Sequence, residues 1–129
     1  MQYSKLGDEG PAVVLIHGFG AFWEHYRDNM RGLAEKGNRV WGLTMVGFGR
    51  SEKPSIAYTE LLLAELVRDF IIDVIREPVV LAGNSIGGMV SCILLSREGN
   101  LRSREGGGHK ENKQEFVLVH FLGACSATK

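Results

Sequence analysis

A serine hydroxyl becomes a nucleophile at neutral pH only when a base can take its proton and fixed donors can hold the charge that develops on the attacked carbonyl. One stretch of this chain has a pattern suited to such a serine: Pro78-Val79-Val80-Leu81-Ala82-Gly83-Asn84-Ser85-Ile86-Gly87-Gly88. A short apolar run leads into a glycine-bracketed serine, and a second apolar run follows with helical spacing. The stretch reads as strand, sharp turn and helix, with Ser85 in a strained turn that projects its hydroxyl from the sheet edge. Gly83 and Gly87 lack a Cβ and so let strand and helix approach closely on both sides.

The elements that must position Ser85 are legible in the hydrophobic pattern. Ala12-Val13-Val14-Leu15-Ile16 is a continuous apolar run, the mark of a strand covered on both faces in a parallel sheet. Met1 to Leu6 reads as a short strand before it, closed by the turn residues Gly7 to Pro11. From Trp23 to Glu35 the pattern is helical, with Tyr26, Met30, Leu33 and Ala34 on one face and Gly37 as the stop. Arg39 to Leu43 is the next strand, Thr59 caps a long helix running to about Arg76, and Pro78 opens the strand that leads to the serine. Strands alternating with helices imply a parallel α/β sheet with right-handed crossovers, in which Ala12 to Ile16 lies between the strands near Val40 and Val80. Ligands on such sheets bind beyond the carboxyl ends of the strands. Three loops are expected there: His17 to Gly20, Thr44 to Ser51, and the turn that carries Ser85.

With His17-Gly18-Phe19-Gly20, Gly47-Phe48-Gly49-Arg50-Ser51-Glu52-Lys53-Pro54 and Gly83-Asn84-Ser85-Ile86-Gly87-Gly88 in this order, the chain resembles the α/β-hydrolase fold superfamily from about Gln2 to Leu95. More narrowly, it is similar to plant hydrolase domains that carry His-Gly-Phe-Gly and Gly-Asn-Ser-Ile-Gly-Gly, some of them fused to photolyase-like domains. The resemblance implies a three-layer α/β fold, truncated here after the helix that follows the serine turn. It implies Ser85 as the nucleophile and the backbone N–H groups of Phe19 and Ile86 as the oxyanion hole. The Ile86 N–H would stand at a helix N-terminus, whose dipole favours an anion. His17 belongs, by the same resemblance, to the loop that shapes the oxyanion region and is not the base. His25 falls in a helix, with a solvated or capping role. Many relatives have an aspartate where Thr44 stands, a difference that concerns loop packing more than chemistry.

In the superfamily an acid and then a histidine follow the serine on later loops. After Asp73 this chain has no aspartate, and beyond Leu95 it offers only Glu98, Glu105, Glu111 and Glu115 as acids and His109 and His120 as bases. Arg97 to Glu115 is almost wholly polar and contains Gly106-Gly107-Gly108, so it reads as a linker. His109 falls in that stretch. Phe116 to Leu122 is apolar enough for one further strand, which would contain His120. The organisation expected is therefore a partial hydrolase domain over residues 1–96, then a polar linker and short apolar segment over residues 97–129. Two functions are compatible with it. One is a serine hydrolase acting on a small ester-like molecule through an acyl-enzyme on Ser85; the other is a non-catalytic fragment or pseudoenzyme that keeps the fold without a working triad.

Composition narrows the partners. The 129 residues suit one domain with one core, and 44% hydrophobic with 23% charged residues is ordinary for a soluble protein. Fifteen basic and fifteen acidic residues balance, so no global charge steers the chain to nucleic acid or an anionic membrane. Leu61 to Ile75 is apolar but holds Glu65, Arg68, Asp69 and Asp73, which marks a helix of a soluble protein and not a membrane span. No secretory leader opens the sequence, so an intracellular place is expected; a plastid address would belong to a longer parent protein. Cys92 and Cys125 lack metal-ligand spacing, and Cys92 is expected to be a buried reduced thiol. No cofactor is called for: Gly18-Phe19-Gly20 and Gly47-Phe48-Gly49 lack the third glycine of a dinucleotide fingerprint, and no phosphate-loop lysine-serine pair occurs.

Overall fold

Five strands form one sheet in a computed structural model that describes residues 1–104 and 116–120, with side chains described through Arg97. They are β1 (Gln2–Leu6), β2 (Ala12–Ile16), β3 (Arg39–Thr44), β4 (Val79–Gly83) and β5 (Phe116–His120), in the spatial order β1-β3-β2-β4-β5. β2 pairs in parallel with β3 and β4, and β4 in parallel with β5. β1 runs antiparallel to β3 at the sheet margin, so the sheet is mostly and not wholly parallel. The central place of β2 is the expected one: Val13 lies opposite Val40 on one side and Val80 on the other.

All five residues of β2 are buried because the strand has helices on both faces. Ala12, Val14 and Ile16 join Leu63, Val67, Ile71, Val90 and Leu94 in a larger cluster under α2 (Glu60–Phe70) and α3 (Ile86–Arg104). Val13 and Leu15 point to the other face and meet Met30 of α1 (Arg27–Glu35), with Trp23, Tyr26, Leu33 and Ala34 around it. The sheet thus divides what composition suggested as one core into two, one on each face. A 3-10 turn over Trp23–Tyr26 leads into α1, so the helical pattern from Trp23 begins with tighter winding. At the start of α2 the Thr59 hydroxyl accepts the Leu62 N–H at 3.2 Å, the cap the sequence suggested. α2 continues through a π-helical turn over Ile71–Ile75 and stops at Arg76 in the left-handed conformation.

The burial expected of Cys92 needs correction. Cys92 is a free thiol but exposed, because helical periodicity turns Val90, Ser91 and Leu94 inward and leaves Met89, Cys92 and Ser96 outward. The boundary expected at residue 97 falls inside α3, which runs to Arg104; Arg97 pairs with Glu65 of α2 at 2.7 Å. The rest of the expected linker, residues 105–115, lies outside the described residues, as does Cys125. Among the described residues, no helix is long and apolar enough to cross a membrane.

Leu81 is fully buried in the larger cluster, whereas Leu61 on α2 is 46% exposed. Leu81→Ala should therefore cost about 2–5 kcal/mol of unfolding free energy in urea melts, and Leu61→Ala no more than about 0.5 kcal/mol.

Candidate active site

β2 and β4 end side by side, and each hands the chain to one wall of the site. Ile16 lies opposite Gly83, and the Asn84 N–H adds one more rung by donating to the Ile16 carbonyl at 3.2 Å. Ser85 then takes φ 54°, a left-handed conformation that costs a non-glycine residue about 1–2 kcal/mol. Beyond it the Gly87 N–H donates to the Asn84 carbonyl at 2.9 Å and the Met89 N–H to the Ser85 carbonyl at 3.1 Å. A Cβ on Gly87 would stand 2.1 Å from the Ile16 carbonyl oxygen, and one on Gly83 would stand 2.4 Å from that of Gly87. The close approach expected of these glycines is present, and Asn84 and Ser85 are exposed at the apex.

The loop after β2 forms the facing wall. A Cβ on Gly18 would lie 3.5 Å from the Ser85 Cβ, so this loop passes directly beside the serine. His17, 1% exposed, accepts the Met45 N–H on Nε2 at 2.9 Å, while its Nδ1 lies 2.7 Å from the Gly18 carbonyl oxygen. Only an unprotonated nitrogen accepts from a backbone N–H, so the ring is neutral and its proton sits on Nδ1, donated to Gly18. Burial lowers the pKa of His17; the Gly18 bond opposes that, and the charge of His25 lowers it a little further. With both nitrogens engaged, His17 ties the β2 loop to the β3 loop and has none free to take a proton from Ser85.

The loop after β3 completes the edge. The Phe48 ring stands edge-on to His17, with centroids 5.2 Å apart, and to Phe19 at 5.6 Å; Phe19 itself is 82% exposed. Thr44 is buried, accepts the Trp23 N–H on Oγ1 at 3.0 Å and accepts the Ser51 hydroxyl on its carbonyl at 2.6 Å. Ser51 Oγ in turn accepts the Gln2 N–H at 2.8 Å, so Thr44 does the loop packing expected of it. From the α1 side, the Tyr26 hydroxyl donates to the Ile16 carbonyl at 3.2 Å. Burial raises the pKa of Tyr26, against the Asn84 N–H, which favours the phenolate. Sequence reasoning placed Tyr26 on a core-facing stripe and gave its hydroxyl no role, since a partner ten residues away on another element leaves no mark in local spacing.

Ser85, Phe19 and Ile86 therefore stand at one sheet edge. His25 is exposed beside Phe22, with ring centroids 4.5 Å apart. His120 closes β5 at the register position opposite Gly83, and Glu98 lies within α3. Glu105, His109, Glu111 and Glu115 lie outside the described residues. Among the described residues, no group of three or more His, Cys, Asp or Glu could hold a metal ion. Two shallow depressions, of about 200 and 150 Å³, flank the Trp23–Tyr26 turn at Glu24 and do not lie over Ser85.

A mostly parallel sheet covered on both faces, with a strained serine turn between strand and helix at its carboxyl edge, is an α/β architecture in which ligands bind beyond the strand ends. The profile of the alpha/beta hydrolase fold family matches residues 11–104, and the chain belongs to that family. It is 31% identical over 93 residues to the AB hydrolase superfamily protein YfhM of Bacillus subtilis, covering 69% of this chain and 32% of that protein. It is 45% identical over 56 residues to a haloalkane dehalogenase of Mycolicibacterium paratuberculosis, covering 43% and 19% respectively. The solved structure of Est816, described as an N-acyl homoserine lactone degrading enzyme, superposes with a TM-score of 0.71 at 26% identity over 92% of this chain and 40% of that one. The chain thus spans less than half the length of these relatives.

The site geometry sets two expected outcomes in urea melts. Because His17 binds its proton less tightly when folded, its stabilising contribution is fully present above about pH 6.5 and is lost as the pH falls below that value. His17→Ala should cost about 1–3 kcal/mol at pH 7.5, by leaving the buried Met45 N–H and Gly18 carbonyl unpaired, and should weaken the loss of stability between pH 7.5 and 5. Gly87→Ala should cost more than about 3 kcal/mol, since the added methyl meets backbone that cannot rotate aside.

Proposed function

We propose that this chain carries the nucleophile part of a serine hydrolase whose substrate is a small ester-like molecule. The observation that carries the reading is Ser85 itself: exposed, left-handed at φ 54°, and 3.5 Å by its Cβ from where a Cβ on Gly18 would stand. In the reaction the Ser85 oxygen bonds to the carbonyl carbon and the serine proton passes to a base. The ester C–O bond then breaks, the alcohol leaves with a proton, and water later releases the acid. The N–H groups of Phe19 and Ile86 would receive the oxyanion; neither has an acceptor among the described residues, which supports that role. The names of the relatives, a dehalogenase and a lactone-degrading enzyme among them, support hydrolysis of a small molecule without selecting the bond.

A second reading, a fragment or pseudoenzyme without a working triad, is favoured by a specific observation. Among the described residues the Ser85 hydroxyl has no hydrogen-bond partner, and His17 is engaged at both nitrogens. A serine without its base keeps only what the oxyanion hole and binding supply, about a thousand- to ten-thousandfold over water, having lost roughly a millionfold in turnover. Against a typical turnover of about ten per second, little remains.

The purified chain should therefore hydrolyse a short-chain nitrophenyl ester barely above background over a pH series, with Ser85→Ala changing the rate little. A fluorophosphonate probe should label it slowly and at Ser85 alone, as read by mass spectrometry. An adduct on another residue would overturn the nucleophile assignment. Turnover of about one per second or more, abolished by Ser85→Ala, would instead overturn the reading of a chain without a base. His109→Ala and His120→Ala would then locate that base.

A further inference from the structure

The Ile16 carbonyl is the point at which three parts of the molecule meet. The Asn84 N–H reaches it from the serine turn at 3.2 Å. The Tyr26 hydroxyl reaches it, also at 3.2 Å, from the helical layer on the opposite face of the sheet from α3. Gly87 passes so close that a Cβ there would stand 2.1 Å from the same oxygen. On the far side of Ser85, two backbone bonds hold the turn, from Gly87 to Asn84 and from Met89 to Ser85. On the near side, the Asn84 bond to Ile16 links the turn to the neighbouring strand, and its direction depends on where the Ile16 carbonyl points.

A phenylalanine would fill the space of Tyr26 among Val13, Leu15, Met30 and Leu33 equally well, so packing alone does not require the hydroxyl. The carbonyl has two lone pairs, and Tyr26 and Asn84 together use both. With the Tyr26 hydroxyl removed, the carbonyl can turn toward water and away from Asn84. The strained Ser85 conformation is then held less tightly.

We propose that Tyr26 is a positioning residue for the Ser85 turn: its hydroxyl holds the Ile16 carbonyl and stands against the Asn84 N–H that donates to it, and so sets the direction of the Ser85 side chain. Tyr26 does not touch the reacting atoms. Its effect on Ser85 reactivity rests on the nucleophile reading above, whereas its effect on Asn84 does not.

The test compares the full chain with Tyr26→Phe. Amide hydrogen exchange at Asn84 should be about two- to tenfold faster in the variant, while the Met45 and Val80 amides exchange as in the parent. The rate of fluorophosphonate labelling at Ser85 should fall by a similar factor. Asn84 exchange that is unchanged, or that rises only in step with Met45 and Val80, would overturn the proposal, because a purely structural loss moves all three alike. If the parent is not labelled at Ser85, the nucleophile reading fails and Asn84 exchange alone decides the role of Tyr26. Should Tyr26→Phe not fold, the parent chain still decides: a nuclear Overhauser cross-peak between the Tyr26 hydroxyl proton and the Asn84 amide proton supports the arrangement, and its absence at neutral pH overturns it.

Discussion

Everything at the carboxyl edge of the sheet depends on how closely α3 can come to the end of β2. The helix can descend onto Ile16 and His17 only because position 87 has no side chain; a methyl group there would stand 2.1 Å from the Ile16 oxygen, well inside van der Waals contact distance. That contact decides where the helix starts, and the start of the helix decides that Ser85 must turn back on itself with φ 54°. The strain is local, while the burial that offsets it is spread over two apolar clusters. Ser85 thus occupies a costly backbone conformation, and among the described residues no single strong contact holds its side chain there.

The loops divide the remaining work. His17 serves as a neutral brace between the β2 and β3 loops, accepting from one and donating within the other. Thr44 and Ser51 extend that brace to Gln2 at the sheet margin. The rings of Phe19, Phe48 and His17 stack edge to face, so the loop beside the serine rests on apolar contact as well as on hydrogen bonds. Little of this framework is titratable near neutral pH apart from the histidine, whose burial keeps it uncharged.

How much of this was legible in the sequence follows from what each signal depends on. Ala12 to Ile16 announced a strand buried on both faces because five consecutive apolar residues admit little else, and the glycines around Ser85 announced close approach because only backbone could need that space. The Thr59 cap was equally local and equally readable. The exposure of Cys92 is not legible because an apolar run does not state its own phase: Val90 and Leu94 define the inward face, and the cysteine lies off it. The polar composition after Arg97 hides the end of α3, because a solvated helix and a linker share it; Arg97 still pairs with Glu65 across the helices. The Tyr26 hydroxyl and the antiparallel edge of β1 depend on partners far away in the chain, and no local pattern encodes them.

The π-helical turn at the end of α2 has a consequence for the length of the chain. Such a turn takes up one residue more than an α turn, and here it occupies Ile71–Ile75, with Ile71 and Ile75 buried and Ile72 and Val74 exposed. The extra residue is absorbed before Arg76 closes the helix, upstream of the strand that delivers the serine. A deletion within this turn would restore ordinary helical winding.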